Sequence, residues 1–158
     1  MDDERRRELI AQYREGPDVL EDAVRGLTDD DLDRAPADGG WTAREVVQHM
    51  ADSEMRSAVR VRQLLAEDDP VIQGYDEASY AERLRYGDRP TAPAVAAVRA
   101  SRETTAALLD GLSGGDWSRS GTHTESGPGY TVDRWLEIYA SHAHDHAEQI
   151  RAAVAGGG

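Results

Sequence analysis

The sequence predicts an all-α protein that folds as a four-helix bundle. Apolar side chains recur every three or four residues in four long segments, so each segment carries one apolar stripe on one helix face. Strand signals are nearly absent, apart from a small hairpin that a glycine-rich loop before the last segment could form. Helices with a single apolar stripe bury it by packing on one another, and four of them form a bundle.

The first predicted helix covers residues 2–27, where leucine, isoleucine and tyrosine recur at helical spacing. Gly16 and Pro17 should kink or split it, because proline removes a helical hydrogen bond and glycine weakens helix propensity. Thr28 is followed by three aspartates. These residues offer capping oxygens for one short turn.

A second long helix is predicted just after Trp41, because Thr42 and Glu45 match the capping box that starts a helix. We expect this helix to run to about Glu67. Its apolar stripe consists of Val46, Val47, Met50, Val61, Leu64 and Leu65. One or two short turns are expected around residues 76–84.

The third and fourth long helices lie on either side of the glycine-rich loop. Helical spacing returns at Val95, Val98, Thr105, Leu108 and Leu112. Thr131 should cap the last helix, which we expect to end before a disordered tail at residues 156–158. The sequence shows no internal repeat and no interdomain linker, so residues 1–155 are predicted to be a single domain.

Composition restricts the classes of function. The 158 residues include no cysteine, which excludes disulfides, a cysteine nucleophile and thiolate metal ligands. The net charge of -13, from 31 acidic and 18 basic residues, argues against binding to nucleic acid or to an anionic lipid surface. Residues 1–7 have no apolar stretch behind their charges, and no long apolar run exists. We therefore expect no signal peptide, no membrane span and a cytoplasmic protein.

The most informative stretch is S-H-A-H-D-H-A-E-Q-I, residues 141–150. An α-helix advances about 100° per residue, so His142 and His146 fall about 20° on either side of Trp135, within the apolar stripe. His144 falls on the opposite face, which we expect to be the solvent side. Side chains at i and i+4 can reach one ion, but a stable site needs a third ligand. The alternative is a pair of core histidines hydrogen-bonded to hydroxyls or carboxylates.

His49 and His123 are the remaining histidines. His49 lies on the second predicted helix, beside its apolar stripe. Its neighbours at helical spacing form a polar strip of Glu45, Asp52, Ser53, Arg56 and Arg60. This strip either lines a cavity or is a solvated helix face. We interpret His123, in the glycine-rich loop, as a solvated loop residue.

Two segments of the predicted helices are distinctive: W-T-A-R-E-V-V-Q-H-M-A-D-S-E-M, residues 41–55, and Y-A-S-H-A-H-D-H-A-E-Q-I, residues 139–150. Both resemble the DinB superfamily, and specifically its YfiT-like metal-dependent hydrolases. The stretch H-T-E-S-G, residues 123–127, is similar to a loop of the same proteins. Each helical motif is weak alone, but their combination is specific, and the resemblance covers about residues 20–153.

The resemblance implies a four-helix bundle, commonly dimeric, in which three histidines hold a divalent metal. One histidine comes from the second helix and two come from the last, which in this chain are His49, His142 and His146. Asp145 stands where relatives often have another histidine, so a role of that position in catalysis is not carried over. Zinc and nickel both suit three imidazole ligands.

The resemblance also implies an enzyme that hydrolyses a small-molecule substrate with water activated by the metal. Two alternatives stay open. One is a thiol S-transferase using bacillithiol or mycothiol, which would suit a chain without cysteine. The other is a non-catalytic metal-binding protein associated with stress. Asp52 and Glu45 are candidate general bases only because each lies about one turn from His49. We expect a homodimer that buries some of the tryptophans and tyrosines between subunits.

Overall fold

The computed structural model describes residues 1–37 and 39–155; the tail expected to be disordered, residues 156–158, lies outside them. The helices are α1 (Asp3–Val24), α2 (Asp29–Leu32), α3 (Ala43–Ala66), α4 (Glu77–Arg83), α5 (Thr91–Leu109) and α6 (Val132–Ala155). The long helix α1 packs on α6 and α5, and α3 packs on the same two helices. The described part of the chain is therefore mostly helical, with its four long helices packed together as predicted.

A small sheet corrects the prediction of an all-α chain. Its strands are β1 (Val71–Ile72), β2 (Ser120–His123) and β3 (Gly127–Thr131). The order is β1-β2-β3, with β1 parallel to β2 and β2 antiparallel to β3. The β2–β3 hairpin lies in the glycine-rich loop. Strand β1 escaped prediction because two residues cannot show an alternating pattern.

Helix starts follow the capping residues of the sequence. Thr28 and Thr42 each take part in a full capping box, at α2 and α3. Thr131 Oγ1 accepts a hydrogen bond from the backbone N–H of Arg134 in the first turn of α6. Each cap satisfies an N–H group that has no partner inside its helix. These three predicted helix starts are confirmed.

Helix α1 is continuous through Gly16 and Pro17, so of the predicted kink or split the split was wrong, and the kink stays a prediction. Proline has no N–H to offer the carbonyl four residues earlier, which is that of Tyr13. The guanidinium of Arg102 on α5 donates to this carbonyl instead, at 2.8 Å. Gly16 leaves space for the arginine, since a Cβ there would overlap its guanidinium and lie 2.9 Å from Ala143 Cβ. A buried side chain thus replaces the missing helical bond.

Gly16→Ala should lower the free energy of unfolding by about 1–3 kcal/mol, as overpacking of a filled core does. This loss is expected although alanine is the better helix former by about 1 kcal/mol. Gly87→Ala is the control, because nothing lies within 4 Å of a Cβ added there. Urea unfolding of both variants measures the difference. A Gly16→Ala protein as stable as wild type would mean that Arg102 can move aside without cost.

Two of the three tryptophans are buried within the single chain, and Trp41 is half-buried. Trp135 is 0% exposed and Trp117 is 6% exposed, both in the core cluster between α1, α3 and α6. Trp41 packs against His49 and Tyr86. These tryptophans therefore give no argument for a subunit interface, and the homodimer stays a prediction. Over residues 1–37 and 39–155, no helix is long and apolar enough to cross a membrane.

Candidate metal centre

Three histidines from two helices meet in the groove between α3 and α6. Each of His49, His142 and His146 offers one ligand atom, and these atoms lie within 4.8 Å of one another. The ring of His146 lies 4.8 Å from that of His49 and 4.6 Å from that of His142, between centroids. The pair on α6 shares one helix face because of its i,i+4 spacing. His49 comes from α3, which packs against this face.

Aromatic rings surround the three histidines. The ring of Trp41, in the loop before α3, lies 5.1 Å from that of His49. The ring of Tyr139, one turn before His142 on α6, lies 5.5 Å from it. His49 is 1% exposed, while His142 and His146 are half-buried. The site is thus lined by rings and open to solvent on the side of α6.

Hydrogen bonds orient the two imidazoles of α6. His142 Nδ1 lies 3.3 Å from Glu54 Oε1, and His146 Nδ1 lies 2.8 Å from Gln149 Oε1. Both partners are acceptor oxygens, which assigns the proton to Nδ1 and leaves the lone pair on Nε2. Metal-ligating histidines are commonly held in this way. His49 Nδ1 is buried and has no hydrogen-bond partner among the described residues. The donor set therefore fits a metal ion with imidazole ligands.

The carboxylate behind His142 is itself fully buried and paired. Glu54 is 0% exposed, and Arg102 Nη2 donates to its Oε1 at 2.6 Å. Arg102 is 1% exposed and also donates to the carbonyl of Tyr139 at 2.8 Å. Burial opposes ionisation of Glu54, but the charge of Arg102 and hydrogen bonds from His142 and Arg102 outweigh it. The pKa of Glu54 therefore lies below its usual value.

Glu54 and Arg102 were not predicted as site residues, although the sequence carries a signal for them. Glu54 stands at helical spacing from Met50 and Val61, inside the apolar stripe of α3. Arg102 follows Val98 by four residues and so lies within the apolar stripe of α5. Charged residues are rarely buried unless they are paired. Opposite charges within two apolar stripes therefore predict a buried ion pair between those helices.

The neutral form of the imidazoles is favoured by their surroundings. Burial, with repulsion from His146 and His142, lowers the pKa of His49 to about 3. Burial, with repulsion from His142, lowers the pKa of His146 to about 4. Both rings are therefore neutral near pH 7. Neutral imidazole is the form that binds a metal ion.

Comparison with known proteins agrees with this geometry. A sequence profile of the DinB superfamily matches residues 12–150. The chain belongs to the DinB superfamily. It is 34% identical over 143 residues to a protein of Oceanobacillus iheyensis, covering 90% of this chain and 82% of the relative. It is 33% identical over 147 residues to YfiT of Bacillus subtilis, covering 93% and 83%. Both relatives bear the name "Putative metal-dependent hydrolase".

A solved structure of Bacillus subtilis YfiT has the same fold as this DinB-superfamily chain. The TM-score is 0.90 at 31% identity, and the match covers 97% of this chain and 87% of that chain. The description of that solved structure calls YfiT a "probable metal-dependent hydrolase with an unusual four-helix bundle topology". The family resemblance predicted from the two helical motifs is confirmed.

Two histidines of this DinB chain lie elsewhere than predicted. His144 is half-buried and not fully solvated, because α1 also packs on α6, and its Nε2 lies 3.1 Å from the carbonyl of Gln12. His123 is 8% exposed, since the hairpin places it on β2 beside β1. Its Nδ1 accepts a hydrogen bond from the N–H of Glu125 at 3.2 Å. Neither histidine belongs to the three-histidine group.

The two candidate bases are engaged by other groups. Asp52 accepts a hydrogen bond from the hydroxyl of Tyr86 at 2.6 Å. Glu45 accepts hydrogen bonds from the N–H and hydroxyl of Thr42, at 2.9 and 3.2 Å, as part of the α3 cap. Asp145 is exposed on α6. This geometry does not assign a general base, and both carboxylates stay predictions.

The metal-free DinB chain should lose stability in mild acid through its histidines. His49 and His146 have folded-state pKa values of about 3 and about 4. In the unfolded chain they titrate near the ordinary value of about 6.5. Between about pH 6.5 and about 4 the unfolded state therefore binds more protons, so stability falls as the pH is lowered. The unfolding temperature of chelator-treated protein from about pH 7 to about 5 measures this.

The matched variant is His49→Gln/His146→Gln, which keeps polar side chains of similar size but cannot bind those protons. Its unfolding temperature should depend less on pH than that of wild type over the same range. Equal slopes for the two proteins would contradict the lowered histidine pKa values.

Proposed function

We propose that this chain is a divalent-metal-dependent hydrolase of a small-molecule substrate, with His49, His142 and His146 as metal ligands. The observation that carries the proposal is the convergence of three imidazoles whose ligand atoms lie within 4.8 Å of one another. The names of the relatives support the same reading. Zinc or nickel is the proposed ion, because both suit an all-imidazole donor set.

Three imidazole ligands fit a catalytic site better than a structural one. Structural zinc sites are closed by four protein ligands, whereas catalytic sites keep a position open for water or substrate. When bound, a divalent ion in such a site supplies Lewis acidity and lowers the pKa of water. The three histidines of this chain would leave that position open toward the half-buried side of α6.

The other residues of the site orient the ligands and limit the access of water. Glu54 holds the proton of His142 on Nδ1, and Gln149 does the same for His146. Trp41 covers His49 from the loop before α3. Fixed ring orientation and a hydrophobic wall both strengthen metal binding and tune the site.

The described residues are also tied together at the ends of the chain, and we propose that residues 1–155 form one domain. The N-terminal amine of Met1 lies 3.2 Å from Asp133, in the first turn of α6. Arg34 Nη1 donates to the carbonyl of Val154, in the last turn of α6, at 2.8 Å. Both contacts join distant parts of the sequence to the helix that carries two of the ligands.

Metal-loaded protein should hydrolyse some members of a panel of small esters and amides. Hydrolysis should disappear after chelation and return on adding zinc or nickel. The control is His49→Ala, which should be inactive with and without added metal. A parallel arm offers the protein a low-molecular-weight thiol and an electrophile. Turnover that survives chelation, or turnover only in the thiol arm, would contradict the hydrolase proposal.

A further inference from the structure

Two arginines lie on the same face of α3 as His49. Arg56 and Arg60 follow His49 by 7 and 11 residues on α3, and these spacings place all three on one helix face. Arg60 Nη1 donates to the hydroxyl of Tyr139 at 2.7 Å. The ring of Tyr139 lies 5.5 Å from that of His142. The arginine pair therefore adjoins the three-histidine group.

The hydrogen bonds of these arginines go to neutral oxygens. Arg56 donates to the hydroxyl of Tyr80 at 3.1 Å and to the carbonyls of Gly74 at 3.3 Å and Gln73 at 3.4 Å. Arg60, which is 9% exposed, also donates to the carbonyl of Gln73. Arg56 Nε is buried and has no partner among the described residues. The hydrogen-bonding capacity of the pair is thus not exhausted within the chain.

The positive charges of the pair are not balanced locally. Over residues 1–37 and 39–155, no carboxylate lies within 4.0 Å of either guanidinium, whereas Arg44, Arg99 and Arg102 all form ion pairs. The exposed side chain of Glu125 lies against Gly74 and does not reach either guanidinium. Burying a charge without a counter-charge is costly, and here it occurs in a chain of net charge -13. An external anion would remove that cost.

A cavity opens beside the two arginines. Its volume is about 410 Å³, and its lining residues are Met55, Arg56, Val59, Arg60, Gln63 and Gln73. Met55 and Val59 are 44% and 56% exposed and give the cavity an apolar wall. Small-molecule sites have this size and this combination of apolar walls with a few polar groups.

We propose that Arg56 and Arg60 bind an oxyanion group, a carboxylate or a phosphate, of a small molecule whose other end reaches the three histidines. A guanidinium suits this role because its planar fork binds carboxylate and phosphate with two parallel hydrogen bonds. Arg56 follows His49 by about 10 Å along the helix axis, and helical side chains lean toward the N-terminus, here toward His49. The proposal rests on the proposed function. It restricts the substrates of the enzyme to anionic molecules about 10 Å long or shorter.

The test uses glutarate, inorganic phosphate and the neutral analogue glutaramide, each titrated into full-length protein by calorimetry, with and without bound zinc. Wild type should bind glutarate or phosphate saturably in both states and should not bind glutaramide. Arg56→Gln and Arg60→Gln should each weaken anion binding by about 10-fold or more, because each removes charge-assisted hydrogen bonds. Arg56→Lys should restore binding only in part, since lysine keeps the charge but lacks the fork. The preferred anion identifies the group.

Arg62→Gln is the matched control. Arg62 is on the same helix and also has no ion pair with any described residue, but it donates to Thr104, Thr105 and the carbonyl of Ala58, on the side facing α5. The Arg62→Gln substitution changes the net charge by the same amount as Arg56→Gln and should leave anion affinity unchanged. Any of three results would overturn the proposal: an equal loss of anion affinity in Arg62→Gln and Arg56→Gln, an unchanged affinity in Arg56→Gln, or anion binding only when zinc is present. Zinc stoichiometry is measured on every variant, so failure of the metal site is recognised separately from failure of the anion site.

Discussion

Metal content should fall from about one ion per chain to near zero in His49→Ala, His142→Ala and His146→Ala, because two imidazoles hold a divalent ion poorly. The three ligand atoms lie within 4.8 Å of one another, so no one of them is dispensable. The His142→Ala variant should also lose about 1–3 kcal/mol of stability, since the buried Glu54 Oε1 then keeps Arg102 as a donor but loses His142. Elemental analysis and urea unfolding of the purified variants measure both effects.

His144→Ala is the control, because this histidine belongs to the same run but faces α1. Its metal content should equal that of wild type. Its Nε2 lies 3.1 Å from the carbonyl of Gln12, so the variant should lose about 0.5–1.5 kcal/mol of stability, the net value of one hydrogen bond. Metal loss in His144→Ala equal to that of the other variants would indicate a loose histidine-rich patch. Metal retained in His49→Ala would remove the third ligand.

Arg102→Ala should be among the most destabilising single substitutions in this chain, with a cost of about 3–5 kcal/mol in the free energy of unfolding. The substitution leaves Glu54 fully buried without its counter-charge, and it removes the donor to the Tyr13 carbonyl that Pro17 cannot satisfy. Metal affinity should also fall by about 10–100-fold, because the carboxylate that orients His142 is disturbed. Urea unfolding and a competitive zinc titration measure the two effects.

Arg99→Ala is the control for charge removal on the same helix. Arg99 is about one-third exposed and pairs with Asp18, Glu21 and Glu103 at the surface, so its loss should cost far less stability than the loss of the buried Arg102. Adding Glu54→Gln to Arg102→Ala should recover part of the stability, because the uncompensated charge is then gone. Arg102→Ala and Arg99→Ala proteins of equal stability would contradict the role of the buried pair.

The parts of the fold that depend on local sequence could be predicted. The capping residues Thr28, Thr42 and Thr131 satisfy N–H groups within their own first turns, and the helices begin where they indicate. The face of α6 that carries His142 and His146 follows from helical geometry alone. Family resemblance then selected His49 from the second helix, and the structure brings these three side chains together.

The parts of the fold that depend on contacts between distant residues could not be predicted from the sequence. Pro17 looks like a helix break unless Arg102, 85 positions later, is known to bond the free carbonyl of Tyr13. His144 looks solvated because the apolar pattern of α6 marks only one packed face, whereas α1 covers its other side. His123 looks like a loop residue because β1 is too short to be recognised. In each case the sequence gives the helix or turn, and tertiary packing decides the surroundings of the side chain.

X-ray absorption spectroscopy of the metal-loaded wild-type protein tests the central claim most directly, since it reports the ligands of the bound ion itself. With zinc or nickel bound, we expect imidazole scattering from three histidines, with metal–nitrogen distances of about 2.0–2.1 Å for zinc. The His144→Ala protein should give the same spectrum. A spectrum with carboxylate oxygens in place of three imidazoles, or a protein that retains no ion after exposure to zinc and nickel, would contradict the account.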